Sequence, residues 1–104
     1  MRQLLTQDEK ALVRCLRLFT IPVRGKNIAH ALGTGTREIA EVAKHCREKG
    51  WWVCSGSSGY WYAKSFKEFH KSLEREEHRA RSILSTIRKA KKHSTLHPVL
   101  RREA

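Results

Sequence analysis

The chain has 104 residues and carries 22 Lys and Arg against 10 Asp and Glu, giving a net charge of +12 and a pI near 10.3. That length allows one domain with a modest core plus an appendage, and that charge points to a polyanionic partner. No apolar run approaches the roughly 18 residues of a membrane span, MRQLLTQDEK does not read as a signal peptide, and three cysteines without a CxxC pair make no disulfide frame.

Thr6, with Glu9 three residues on, forms a capping box for a first helix. Ala11, Leu12, Cys15, Leu16 and Phe19 are its apolar stripe, and it is expected to end near Phe19. Pro22 stops it, leaving Thr20 to Val23 as an extended connector and the candidate for a first short strand. From Gly25 to Val42 the spacing predicts a helix, a tight turn and a second helix. Ile28, Ala29 and Leu32 share one face of the first, and Gly33 falls where the backbone must turn. Ile39, Val42, Ala43 and Cys46 make the stripe of the second, which spans Thr36 to about Lys49. A small Ala29, a glycine four positions later and Ile39 six beyond that is helix-turn-helix spacing. Gly35 stands at the second helix's N-cap, where glycine is tolerated but offers no side-chain acceptor.

Gly50 ends that helix. Trp51–Cys54 and Tyr60–Ala63 are strand-forming runs around a Ser55–Gly59 loop, which predicts a β-hairpin. Five of those eight strand residues are aromatic, more than one buried face of a ribbon uses. The surplus is expected to pack on the next helix, on a partner chain or on nucleic acid. Ser65 and Glu68 form a second capping box, opening a helix predicted over residues 65–93, roughly 40 Å long. Phe66, Leu73, Ala80 and Ile87 occupy one heptad position; Phe69, Ile83 and Ala90 occupy the other, which Glu76 interrupts. Phe66, Phe69 and Leu73 are expected to pack on the hairpin and first helix. Ala80, Ile83, Leu84 and Ile87 then need a partner, most simply a second copy of the chain. Residues 94–104, which contain Pro98, are expected to be a flexible tail with Leu96, Val99 and Leu100 as its apolar points.

The order of these parts over about residues 6–64 resembles the winged helix-turn-helix DNA-binding domain. The run REKGWWVCSGSSGYWYAKS followed by RSILSTIRKAKK is similar to small DNA-binding proteins of bacteriophages and prophages. The expected fold is therefore mainly α with a β-hairpin wing (α+β). It comprises a winged domain over residues 1–64, a long basic helix over 65–93 that serves in dimerisation, and the tail. The resemblance implies a transcriptional regulator or replication-associated factor in the bacterial cytoplasm, without catalysis.

If the helix from Thr36 enters a major groove, Thr36, Arg37, Ala40, Glu41 and Lys44 face the bases. Arg24, Lys26 and Thr34 then meet phosphates, as do Ser57 and Ser58 at the wing and Arg88, Lys89, Lys91 and Lys92 on the long helix. Residues 65–104 hold half the excess charge, with 11 basic and 5 acidic side chains. The face carrying Arg37, Glu41, Lys44 and Glu48 is nearly neutral. A glutamate beside phosphates is unfavourable unless it contacts a base, so such a helix reads sequence or does not face DNA. The alternative is a protein-interaction module that holds a host or phage protein through its aromatic hairpin; the charge-free wing favours it. There is no GxxxxGK[ST], no catalytic carboxylate pair and no GxSxG, and no His or Cys spacing suits a metal. No cofactor, small-molecule substrate or membrane is expected.

Overall fold

In the computed structural model, which describes residues 2–96, four helices and one hairpin follow in the order α1 (Gln7–Arg17), α2 (Gly25–Leu32), α3 (Thr36–Glu48), β1 (Val53–Gly56), β2 (Gly59–Tyr62) and α4 (Phe66–Leu96). The architecture is mainly helical, with one two-stranded antiparallel sheet. None of the described helices is long and apolar enough to cross a membrane. The chain divides into two compact units, Met1–Ser72 and Leu73–Ala104.

The first unit is built on local signals that agree with one another. At Thr6 the side chain accepts from the Glu9 N–H at 3.3 Å while Glu9 accepts from the Thr6 N–H at 2.8 Å, the reciprocal capping box. Gly33 caps α2 in the left-handed region (φ 68°, ψ 37°), and the Thr34 N–H returns to the Ala29 carbonyl at 2.9 Å. Leu12, Val13 and Leu16 of α1, Ile28 and Ala29 of α2, Ile39, Ala43 and Cys46 of α3, and Val53 of β1 form one buried cluster. Ile39 is 1 % exposed where α3 meets α2, the position its spacing from Ala29 and Gly33 assigns. Truncating a fully buried Ile or Leu of this kind costs about 2–5 kcal/mol.

The hairpin departs from the expected limits. Its ladder pairs Val53 with Tyr62, Cys54 with Trp61, Ser55 with Tyr60 and Gly56 with Gly59, so only Ser57 and Ser58 form the turn. Trp51 lies outside the ladder because the chain is still leaving α3, its N–H bonding to the Cys46 carbonyl at 3.0 Å; Trp52 precedes β1 and keeps one bond across the hairpin, its carbonyl accepting from the Ala63 N–H at 2.9 Å. The connector also joins the sheet. Val23 and Tyr60 exchange N–H···O bonds of 2.7 and 2.8 Å, a single antiparallel bridge beside β2.

Successive strand residues face opposite sides, and here both sides are covered. Val53, Tyr60 and Tyr62 join the helical cluster, whereas Cys54 and Trp61 pack with Trp52, Ala63 and Phe69. Phe69 sits on the first turn of α4, and with buried Ser72 it carries the first unit past the expected boundary at residue 64. The five aromatic residues are all half-buried, so the surplus of rings is used within the fold.

Other expectations are corrected. Helix α1 stops at Arg17, with Leu18 as its cap, so Phe19 leaves the helical stripe and is 52 % exposed. Phe66 touches the Trp52 ring edge-on at 6.5 Å yet stays 61 % exposed, and Leu73 and Leu32 are each 37 % exposed. Helix α4 runs to Leu96 rather than ending near 93. The remainder of the expected tail, with Val99 and Leu100, lies outside the described residues.

Two glycines give opposite predictions. At Gly59 (φ 122°) an added Cβ would run into the Val23 carbonyl, the group that bonds to Tyr60. Gly59→Ala should therefore lose about 2 kcal/mol or more in urea denaturation. At Gly35 (φ −95°) only the flexible Glu38 carboxylate occupies the space, and α3 has no side-chain cap. Gly35→Ser should gain about 0.5–1 kcal/mol. Unchanged stability in both would contradict these assignments.

Candidate nucleic-acid interface

Helix α3 is anchored along one stripe. Ile39, Ala43 and Cys46 are buried and Val42 is half-buried, at the three- and four-residue spacing of a single helical face. The opposite face is bare. Thr36, Arg37, Ala40, Glu41 and Lys44 are all exposed, as are Arg24 and Lys26 at the start of α2 and Thr34 in the turn.

Two hollows flank this face. One, of about 480 Å³, is lined by Lys26, Asn27, His30, Thr34 and Thr36 with Gly35 and Ala29, so it brings three of the predicted contact residues together at the N-terminus of α3. The other, of about 530 Å³, lies between the start of α1 and the outer side of α3. Thr34, Arg37 and Glu41 line it together with Asp8, Glu9 and Glu38 over an apolar floor of Leu32, Ile39 and Val42. Arg24, Ala40 and Lys44 line neither hollow. Ser57 and Ser58 are exposed in the hairpin turn, and they too line neither. Arg88, Lys89, Lys91 and Lys92 are exposed on α4, in the second unit.

The cations fall into two groups. Several serve the fold: Lys49 bonds to Glu9 at 2.6 Å, Arg47 donates to Ser55 Oγ at 3.3 Å, Arg17 lies over the Tyr62 ring at 5.3 Å and Arg2 over Trp51 at 4.3 Å. By contrast, among the described residues Arg24, Lys26, Arg37 and Lys44 form no ion pair and no side-chain hydrogen bond. Glu41 has one neighbour of opposite kind, His45 at 3.9 Å, one turn along the helix.

Sequence reasoning missed the partner of Glu9. Its capping role was legible, but its tie to Lys49, 40 residues away, carries no local signal. Glu9 is 4 % exposed and joins the start of α1 to the end of α3. Burial pushes its carboxyl up, but hydrogen bonds from Lys49 and Thr6 and the Lys49 charge outweigh burial and hold it below its ordinary value. The Cys46 thiol beside it is pushed up to about 11, first by burial and then by the Glu9 charge. Cys46 is therefore a core thiol and not a nucleophile at neutral pH. Cys54 is also buried, its thiol donating to the Trp52 carbonyl at 3.8 Å, and Cys15 is half-buried; none of the three is in a disulfide.

No family model, curated protein or solved structure matches the chain.

Because the folded Glu9 carboxyl is depressed, its stabilisation is fully present above the ordinary carboxyl value of 4.5 and is lost as pH falls through the lower folded value. Glu9→Gln should cost about 2–3 kcal/mol at neutral pH. It should also flatten the acid-side decline of stability measured by urea denaturation. A variant with the wild-type acid profile would place that decline elsewhere.

Proposed function

We propose that this chain binds double-stranded DNA by laying the outer face of α3 in the major groove. The observation that carries the reading is the set of exposed cations committed to nothing in the fold: Arg37 and Lys44 on the bare face of α3, with Arg24 and Lys26 at the start of α2. A folded protein of net charge +12 that leaves such groups exposed and unpaired has a surface suited to phosphate. In this reading α2 and α3 are a helix-turn-helix, β1–β2 is the wing of a winged domain, and the Val23–Tyr60 bridge is its short third-strand contact.

Each part then has a task. Arg37 reads guanine, Glu41 accepts from cytosine N4, Ala40 meets a thymine methyl, and Thr36 and Lys44 reach base edges or the adjoining phosphates. Lys26, Thr34 and the first-turn N–H groups of α3 hold a phosphate, which the hollow they line has room for. Arg24 extends the track along the backbone. Arg88, Lys89, Lys91 and Lys92 add charge without sequence information. Ser57 and Ser58 offer only hydroxyl and N–H contacts to phosphate. The glutamates argue for sequence reading over general adhesion, since Glu41 is repelled by phosphate except where a base donor meets it.

A regulator or a phage replication factor in the bacterial cytoplasm would use such a surface. The competing reading needs an exposed aromatic hairpin for a protein partner. Its rings are half-buried in the two clusters, which leaves DNA the better-supported partner.

Fluorescence anisotropy with a mixed duplex pool tests the proposal. With about six phosphates neutralised, affinity should fall roughly a thousandfold between about 50 and 200 mM salt. Arg37→Ala should weaken binding by about tenfold, the worth of one good base contact. Absence of binding at low salt would overturn the proposal, and binding indifferent to Arg37 would move the contact off α3.

A further inference from the structure

Helix α4 leaves a seam without a cover. Every side chain from Glu77 to His93 is exposed, including Ile83 at 54 %, Leu84 at 50 % and Ile87 at 43 %. With Leu73, Ala80 and Ala90, Ile83 and Ile87 keep heptad spacing and Leu84 flanks it, the pattern of a helix that packs on another helix along one side. Isolated exposed leucines need no explanation, but a periodic stripe of this length does.

The charge along α4 selects the occupant and its direction. All four acidic residues, Glu68, Glu74, Glu76 and Glu77, lie in the first half of the helix. On α4 no acid follows Glu77, while Arg79, Arg81, Arg88, Lys89, Lys91 and Lys92 do. Glu76 moreover sits at the heptad position where the seam should be apolar. Two copies packed parallel and in register would place Glu76 against Glu76 in the seam and the run Arg88–Lys92 against its twin. Like charges so placed repel. Packed antiparallel, the same residues become complementary.

We propose that α4 pairs with α4 of a second copy as an antiparallel two-helix seam centred between Arg81 and Ser82. Seam positions alternate in such a pair, so Leu73 meets the partner's Ala90, Ala80 meets the partner's Ile83, and Glu76 meets the partner's Ile87. Glu76 then lies one turn from the partner's Lys91, which flanks the seam, and this accounts for an acid at that position. Leu84 of each copy widens the contact near the centre. Arg88, Lys89 and Lys92 lie on the side of the helix away from the seam. The pairing does not depend on the DNA-binding reading, because it uses only α4 and needs no nucleic acid.

Sedimentation equilibrium of the full chain without DNA should show a dimer at tens of micromolar, and Ile83→Glu with Ile87→Glu should give a folded monomer by circular dichroism. Direction is read by disulfide formation in variants carrying Cys15→Ser. Leu73→Cys mixed with Ala90→Cys should cross-link between chains. Ala90→Cys alone should not, since the two Ala90 positions lie roughly 25 Å apart along an antiparallel pair. Glu76→Lys should weaken the dimer about tenfold or more. A wild-type monomer at these concentrations, or an Ala90-to-Ala90 cross-link, would overturn the proposal. DNA binding by such a monomer would leave the DNA reading standing alone.

Discussion

The hairpin buried on both faces is the constraint on which the first unit depends. A two-stranded ribbon has little stability in water by itself, and β1–β2 offers only four residues a side. It persists because Val53, Tyr60 and Tyr62 close the helical cluster while Cys54 and Trp61 hold Phe69, Ala63 and Trp52. The bridge from Val23 to Tyr60 then ties the connector between α1 and α2 to the same strand. That arrangement fixes the start of α2 from one end and the end of α3 from the other. Helix α3 can consequently be held by a single stripe of Ile39, Val42, Ala43 and Cys46, with its opposite face left exposed.

The division of cations follows from the same economy of contacts. Lys49 and Arg47 emerge at the end of α3, where Glu9 and Ser55 are within reach, and both are taken up by the fold. Arg37 and Lys44 emerge on the side away from the core, where the fold has nothing to offer them. Charged groups in water cost little when unpaired, so such a surface is stable without a partner. The acids nearby set a limit on indiscriminate binding. On α4 the acids and bases are segregated along the helix, which makes the helix complementary to itself only when reversed.

Much of this was legible because short-range chemistry decides it. Thr6–Glu9 marks a helix start through reciprocal bonds spanning three residues, whereas at Ser65–Glu68 the serine half forms and the Glu68 carboxylate reaches one residue further back, accepting from the Lys64 N–H at 2.7 Å. Gly33 marks the turn because the left-handed backbone there favours glycine. The failures lie where local preference meets a longer contact. Trp51 has strong strand preference, yet its N–H completes the end of α3 and its indole N–H donates to the Gln3 carbonyl at 2.7 Å, so it stays out of the ladder. Phe19 fits the stripe of α1 by number, but the helix ends two residues earlier. The Glu9–Lys49 pair and the division of aromatic rings between two clusters depend on tertiary placement. At the candidate interface, exposure of Thr36, Arg37, Ala40, Glu41 and Lys44 followed from helical periodicity alone, whereas the acidic hollow beside them came from the approach of α1.

The most direct measurement is a residue-resolved map of the complex: amide chemical shifts of the labelled full chain, followed as a short mixed-sequence duplex is added at low salt. DNA docking through α3 predicts that the largest changes cluster at Thr34 to Lys44 and at Arg24 to Lys26, with Ile28 and Val53 in the core little affected. Changes confined to the basic end of α4, or a spectrum unmoved by the duplex, would contradict the assignment of α3 as the DNA-reading element.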